Sequence, residues 1–163
     1  MIFVGKYKGK TSQLWYTTLS NDSVWHMPSK FVLDSPYDEE TPYFHADGNT
    51  LFFSSKGEQS MGGYDVLISK RINGKWQSPQ NLGMPINSAR DEIGFVANAK
   101  GNKGYYSTLR DGGFGKQDIY AVDLSVAVVD SKMQLITGSV FSKLREPLSA
   151  YIEIIDLESE QSY

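Results

Sequence analysis

Between residues 46 and 83 the apolar residues come in short runs and the polar residues in clusters. Leu51-Phe52-Phe53 and Val66-Leu67-Ile68 are the runs; "HADGN", "KGEQSMGG" and "RINGK" frame them. Runs this short, rich in β-branched and aromatic residues and bounded by glycine and asparagine, predict strands. Tyr43-Phe44 and the segment around Trp76 complete a set of four. Asp47-Gly48 and Asn73-Gly74 are pairs that two-residue hairpin turns use, because both central positions require positive φ. No apolar pattern of helical period persists for three turns anywhere in the chain.

The pattern recurs. Trp76 and Pro79 stand 51 residues after Trp25 and Pro28, and Asp91 stands 53 after Asp38. Ser107 follows Ser54, and Asp118 follows Asp65, by 53 residues each. A weaker copy, "IFVGKYKGKTSQLWYTTL", opens the chain at a slightly shorter spacing. The repeat is therefore about 51 to 53 residues long and present about two and a half times. Four short antiparallel strands per repeat of this length are the signature of a propeller blade. The landmarks that define it are Trp25, Pro28, Asp47, Gly48, Gly63, Asp65, Trp76, Pro79, Gly115 and Asp118.

After Leu124 the repeat stops. "SVAVVDSKMQLITGSVFSKLREPLSAYIEIIDLESEQSY" predicts strands around 126–129, 135–141 and 150–157, with a turn at "SKLREPL". The alternation in Tyr151-Ile152-Glu153-Ile154-Ile155 suits a strand with one buried face. A piece this small is too short for an independent core. The expected fold is all-β: a partial β-propeller of about two to two and a half four-stranded blades over 1–124, then the start of a β-sandwich over 125–163. Closed propellers have about four to eight blades, so the chain reads as a segment of a longer polypeptide with blade faces and strand edges left open.

Composition narrows the function classes. The 163 residues are 40% hydrophobic and 21% charged, ordinary for a globular protein. Sixteen basic and nineteen acidic residues are mixed along the chain for a net charge of -3, with no basic stripe that would meet nucleic acid or anionic lipid. There are no cysteines, which removes disulfides, thiol nucleophiles and thiolate metal sites. No window approaches the length of an apolar membrane span. "MIFVGKYKGK" lacks the charged region and cleavage site of a signal peptide and reads as the interior of a strand.

Candidate chemistry is sparse. Asp38-Glu39-Glu40 and Asp91-Glu92 resemble the carboxylate pairs of glycoside hydrolysis or calcium binding. They recur at equivalent repeat positions, however, and a catalytic pair belongs once to a site. "SMGGYD" and "DGGFGKQD" are glycine-rich, but neither opens a helix as a phosphate loop must. Asp65 and Asp118 are expected to bond backbone amides or a side chain in the adjacent turn. His26 and His45 have no partner at metal-ligand spacing, and Ser54-Ser55 lies in no nucleophile elbow. Asn21-Asp22-Ser23 fits a glycosylation sequon and nothing more. The aromatic content, 13%, leaves a sugar- or peptide-binding face open. Trp25 and Trp76 recur with the repeat, which favours a blade-packing role. Tyr105-Tyr106 matches Phe52-Phe53 and is expected in the core. The residues imply no cofactor and no metal.

"ETPYFHADGNTLFFSSKGEQSMGGYDVLISKRINGKWQSPQNLGMPINSARDEIGF" closely resembles the TolB-like, WD-repeat-like propeller repeats of OmpA-family envelope proteins. "LITGSVFSKLREPLSAYIEIIDLES" resembles the start of a carboxypeptidase-regulatory-like β-sandwich. This order of modules is similar to outer-membrane-associated accessory proteins of type IX secretion. The resemblance implies a non-enzymatic scaffold in the periplasm, associated with the outer membrane. Its implied partners are other envelope or secretion-apparatus proteins, and peptidoglycan through a domain absent from this chain. The chain departs from that pattern in having few blades, no lipoprotein or signal sequence and no OmpA-like region. A carbohydrate- or peptidoglycan-binding propeller is the alternative.

Overall fold

A computed structural model describes residues 1–6, 11–31, 33, 35–124 and 139–142. The chain divides into two compact units, Met1–Met133 and Gln134–Tyr163. The strands expected at 126–129 and 150–157, and most of that at 135–141, lie outside the described residues.

In the first unit the described residues form strands and no helix, so the all-β expectation holds. The first sheet contains β1 (Ile2–Lys6), β2 (Ser12–Tyr16) and β3 (Ser29–Lys30), in that order. The second contains β4 (Glu39–Phe44), β5 (Thr50–Ser55), β6 (Asp65–Ile72) and β7 (Lys75–Trp76), with β8 (Gln80–Asn81) also paired to β6. The third runs β9 (Glu92–Ala97), β10 (Lys103–Thr108) and β11 (Asp118–Asp123) as a meander. All pairings are antiparallel, and no sheet closes on itself.

The turns show which local signals were sufficient. Asn73 and Gly74 both have positive φ, 50° and 75°, and join β6 to β7 as a two-residue turn. The Asp47-Gly48 turn differs from expectation: only Gly48 has positive φ, at 72°. Here the connection from Phe44 to Thr50 is longer, and the Asp47 side chain does the work of a second turn residue by capping the amides of Asn49 and Thr50.

Alternation along the strands explains the uninterrupted apolar runs. Successive side chains point to opposite faces of a sheet, and β5 is buried on both. Leu51 and Phe53, with Leu67 of β6, pack on Leu14 and Phe31 of the first sheet's segment. Phe52, with Val66 and Ile68, packs on Phe95, Ala97 and Tyr106 of the third sheet. Burying one such phenylalanine contributes about 1.5–3 kcal/mol. The three sheets therefore stack face to face, with the second in the middle.

The stacking has one geometry used twice. β4 packs beside β1 and β2, as β9 packs beside β5 and β6. Both β4 and β9 carry a register shift, with a positive φ at Thr41 (46°) and at Gly94 (69°), 53 residues apart.

Candidate functional site

The polar residues that invite a chemical reading sit where each sheet meets the next. Asp91 Oδ1 accepts a hydrogen bond from the Tyr64 amide at 2.8 Å, and Asp38 Oδ1 accepts one from the Ser12 amide at 2.6 Å. In both cases the carboxylate precedes the first strand of one sheet and holds the start of a strand in the sheet before it, β2 for Asp38 and β6 for Asp91. Backbone bonds reinforce the second junction: Gly63 N donates to Arg90 O at 3.2 Å and Glu92 N to Tyr64 O at 2.6 Å. A Cβ on Gly63 would run into the Asp91 carboxylate, and one on Gly62 would meet the Ala89 backbone at 2.5 Å. The double glycine is thus required by the close approach of 89–91.

Glu39 and Glu92 are buried, at 4% and 0% exposure. Glu92 takes hydrogen bonds from the Ser88 amide (2.9 Å), the Ser88 hydroxyl (2.6 Å) and the Thr108 hydroxyl (2.8 Å). Glu39 accepts from the Leu14 amide at 3.2 Å. Glu92 is thus committed to backbone and hydroxyl donors, the condition under which a buried charge is tolerated. No group of three or more His, Asp or Glu side chains suited to a metal occurs among the described residues.

Asp65, fully buried at the start of β6, accepts from the Met61 amide at 2.8 Å and from the Asn81 side-chain amide at 2.7 Å. Asp118, at the start of β11, accepts from the Phe114 amide at 2.9 Å and from the Gly115 amide at 3.4 Å. Both aspartates thus tie down the glycine-rich turn before their own strand. Asn87 extends the network, its side chain bonding the N–H and the C=O of Val66 at 2.8 Å each, and Asn81 Oδ1 at 2.6 Å. An amide paired this way replaces a strand neighbour. Asn81 and Asn87 were within reach of sequence reasoning as the polar members of "NLGMPIN", but the strand residues they bond lie 16 and 21 residues away in sequence.

Asp47 is the anchor of the turn between β4 and β5. Its Oδ1 accepts from the Asn49 and Thr50 amides at 2.8 and 2.9 Å, and its Oδ2 from the Thr50 hydroxyl at 2.7 Å. Burial pushes its carboxyl pKa up, but the Thr50 hydroxyl, the two amides and His45 outweigh it, leaving the pKa below the ordinary value. His45 is buried, with Nδ1 accepting from the Asp47 amide at 3.1 Å and Nε2 facing Asn98 O at 3.2 Å. The tautomer that satisfies both contacts carries its proton on Nε2. Thr41 Oγ1 accepts from the Gly94 amide at 3.0 Å, and Tyr43 donates to Ala97 O at 3.1 Å, so with His45 three side chains bridge β4 and the turn that follows it to the next sheet. Burial, and then the Asp47 charge, raise the Tyr43 hydroxyl above its usual pKa.

Trp76 lies against Phe31 and Phe44, with ring centroids 5.3 and 5.8 Å away. Tyr16, Phe31, Phe44, Trp76 and Arg71 line a groove of about 450 Å³ between the first two sheets. Pro79 lines a separate cavity of about 220 Å³ with Tyr37 and Phe53. Two expectations are corrected. Trp25 is 52% exposed and packs between no sheets, because among the described residues nothing supplies it with counterparts of Phe31 and Phe44. Of Tyr105-Tyr106 only Tyr106 is in the core, at 4% exposure; Tyr105 is 41% exposed because it points away from the second sheet. Pro28 is exposed beside Trp25, and His26 is exposed as well. Asp47, Asp65, Asp118 and Trp76 belong to different junctions and turns; the fold does not gather them into one site.

Comparison with known proteins supplies no relative: no family model, no curated protein and no solved structure matches the chain.

Proposed function

We propose that the chain is a run of propeller blades acting as a non-enzymatic interaction scaffold of a bacterial cell-envelope protein. Its recurring polar motifs maintain the fold. The observation that carries this reading is the repetition of Asp38 on Ser12 and Asp91 on Tyr64, which places the same carboxylate in the same structural bond at two successive junctions. Among the described residues Asp38, Asp47, Asp91 and Glu92 each accept from backbone amides of a turn or a neighbouring sheet, a structural use of the carboxylate. A rigid stack with variable loops suits binding of other proteins. The resemblance to repeats of OmpA-family envelope proteins supports a periplasmic setting at the outer membrane, and the domain order supports a place in type IX secretion. Fold alone does not decide function, and the resemblance carries this part.

The groove of Tyr16, Phe31, Phe44, Trp76 and Arg71 favours a second reading, a carbohydrate- or peptidoglycan-binding face. The two separate on one experiment: the chain is offered purified peptidoglycan and polysaccharides, and in parallel is used to retain proteins from detergent-solubilised envelopes. The scaffold reading expects no saturable glycan binding and retention of the same envelope proteins by the wild type and by Phe44→Ala. Saturable glycan binding lost in Phe44→Ala and Tyr16→Ala would overturn it in favour of the second reading.

A further inference from the structure

The junction of the first and second sheets and that of the second and third are built alike, and they differ at one side chain. At the later junction Arg110, just past β10, reaches across to the segment that precedes β9. Its Nη2 lies 2.7 Å from the Pro85 carbonyl, 2.9 Å from the Ile86 carbonyl and 2.8 Å from the Tyr106 hydroxyl. Its guanidinium carbon stands over the Tyr106 and Tyr120 rings, 5.7 and 5.4 Å from their centroids. Oxygen acceptors and aromatic faces are the surroundings that a guanidinium group favours.

One repeat earlier the same place is open. The 53-residue offset puts Gly57 at the position of Arg110, Leu33 at that of Ile86, Phe53 at that of Tyr106 and Leu67 at that of Tyr120. All four of these earlier residues line the cavity of about 220 Å³ at the first junction. Matching bonds accompany the matching positions. Ser35 Oγ accepts from the Tyr37 amide at 3.1 Å, as Ser88 Oγ does from the Arg90 amide. Ser60 N donates to Gly57 O at 2.9 Å, as Gly113 N does to Arg110 O at 3.2 Å. The cavity is therefore the space that an arginine fills at the next junction, opened here by a glycine.

Its lining suits a cation. Buried Glu39 and exposed Glu58 both border it, and none of the described residues lining it is basic. The Tyr37 hydroxyl donates to Glu58 Oε1 at 2.8 Å and holds that carboxylate at the rim. The volume falls below the about 300–1,000 Å³ of pockets that enclose a whole small molecule, so a single side chain is the occupant it fits. We infer that this cavity receives an arginine side chain presented by a partner protein, in the place that Arg110 takes from within the chain one repeat on. Such a contact rests on the blade reading and deepens the scaffold role proposed above.

The test is an NMR titration of the full chain with the peptide N-acetyl-Gly-Arg-Gly-amide. Beside it run the citrulline version, which keeps the shape and loses the charge, and free L-arginine. Saturable shifts are expected at the amides of Tyr37, Gly57 and Ser60, with the citrulline peptide weaker by about tenfold or more. Glu58→Gln should weaken the arginine peptide by about three- to fivefold. Gly57→Arg should abolish binding by filling the cavity from within. A Cβ at 57 stands 3.2 Å from the Tyr37 ring and 3.3 Å from Ser55 Oγ, so small shifts admit it, and circular dichroism shows whether the variant folds. Where it does not fold, Glu58→Gln and the citrulline peptide still decide. The inference is overturned by the absence of saturable shifts in the wild type, by equal binding of citrulline, or by unchanged binding in either folded variant. Free L-arginine binding as tightly as the peptide would overturn the assignment to a partner protein. Failure of the peptide defeats the pocket alone, because the scaffold reading is decided by retention of envelope proteins.

Discussion

At the residue scale, the aspartates and glycines of the repeat have separable jobs, and substitution tells them apart. Asp47 stabilises the folded chain through three hydrogen bonds and a carboxyl pKa held below its ordinary value. A group whose pKa is depressed on folding contributes in full above its unfolded value, about 3.9 for aspartate, and loses that contribution as pH falls through the lower, folded value. Asp47→Asn keeps the shape but not the charge. It should lower stability by about 1–2 kcal/mol at pH 7, and urea titrations at falling pH should show the gap to wild type closing below about pH 4. The glycines give a sharper contrast. Gly63→Ala places a methyl group in the Asp91 carboxylate and near Arg90 O, whereas the nearest atom to a methyl at Gly115 is 3.7 Å away. Gly63→Ala should therefore cost about 1–3 kcal/mol. Gly115→Ala should stay within about 0.5 kcal/mol of wild type in the same denaturation assay.

At the scale of elements, the strands and their order were legible because each depends on signals a few residues apart. Val66-Leu67-Ile68, bounded by "MGGYD" and "NGK", needs nothing distant to be a strand. Which face is buried was not legible. Tyr105 and Tyr106 match Phe52 and Phe53 residue for residue, yet only a neighbouring sheet makes the first of each pair a core residue, and the third sheet has none on that side among its described residues. Trp25 and Trp76 differ for the same reason. The roles of Asp38, Glu39, Asp91 and Asn87 were hidden differently: their partners lie 21 to 27 residues away, so local spacing shows only that the residues recur. Asn87 makes the clearest test of such a long bond. Asn87→Ala removes the acceptor of the Val66 amide inside the core. Stranding that donor should cost about 2 kcal/mol, with faster hydrogen exchange at Val66 than at Phe53 or Phe52.

At the largest scale, the three sheets of the first unit are expected to form one cooperative stack. The second sheet is buried on both faces, its Phe52 ring centroid 4.9 Å from that of Phe95 in the third sheet. Side-chain bonds cross the same junction from Thr41, Tyr43 and His45. A stack of this kind resembles repeat architectures, where stability comes largely from interfaces between neighbouring units. The most direct test is a double-mutant cycle on Phe52→Ala and Phe95→Ala, read by urea unfolding followed at once by fluorescence and circular dichroism. Each single substitution should cost about 3–5 kcal/mol, and the pair should cost less than their sum by about 1 kcal/mol, in one transition shared by both probes. Additive losses with separate transitions for the two signals would contradict the stacked-blade account.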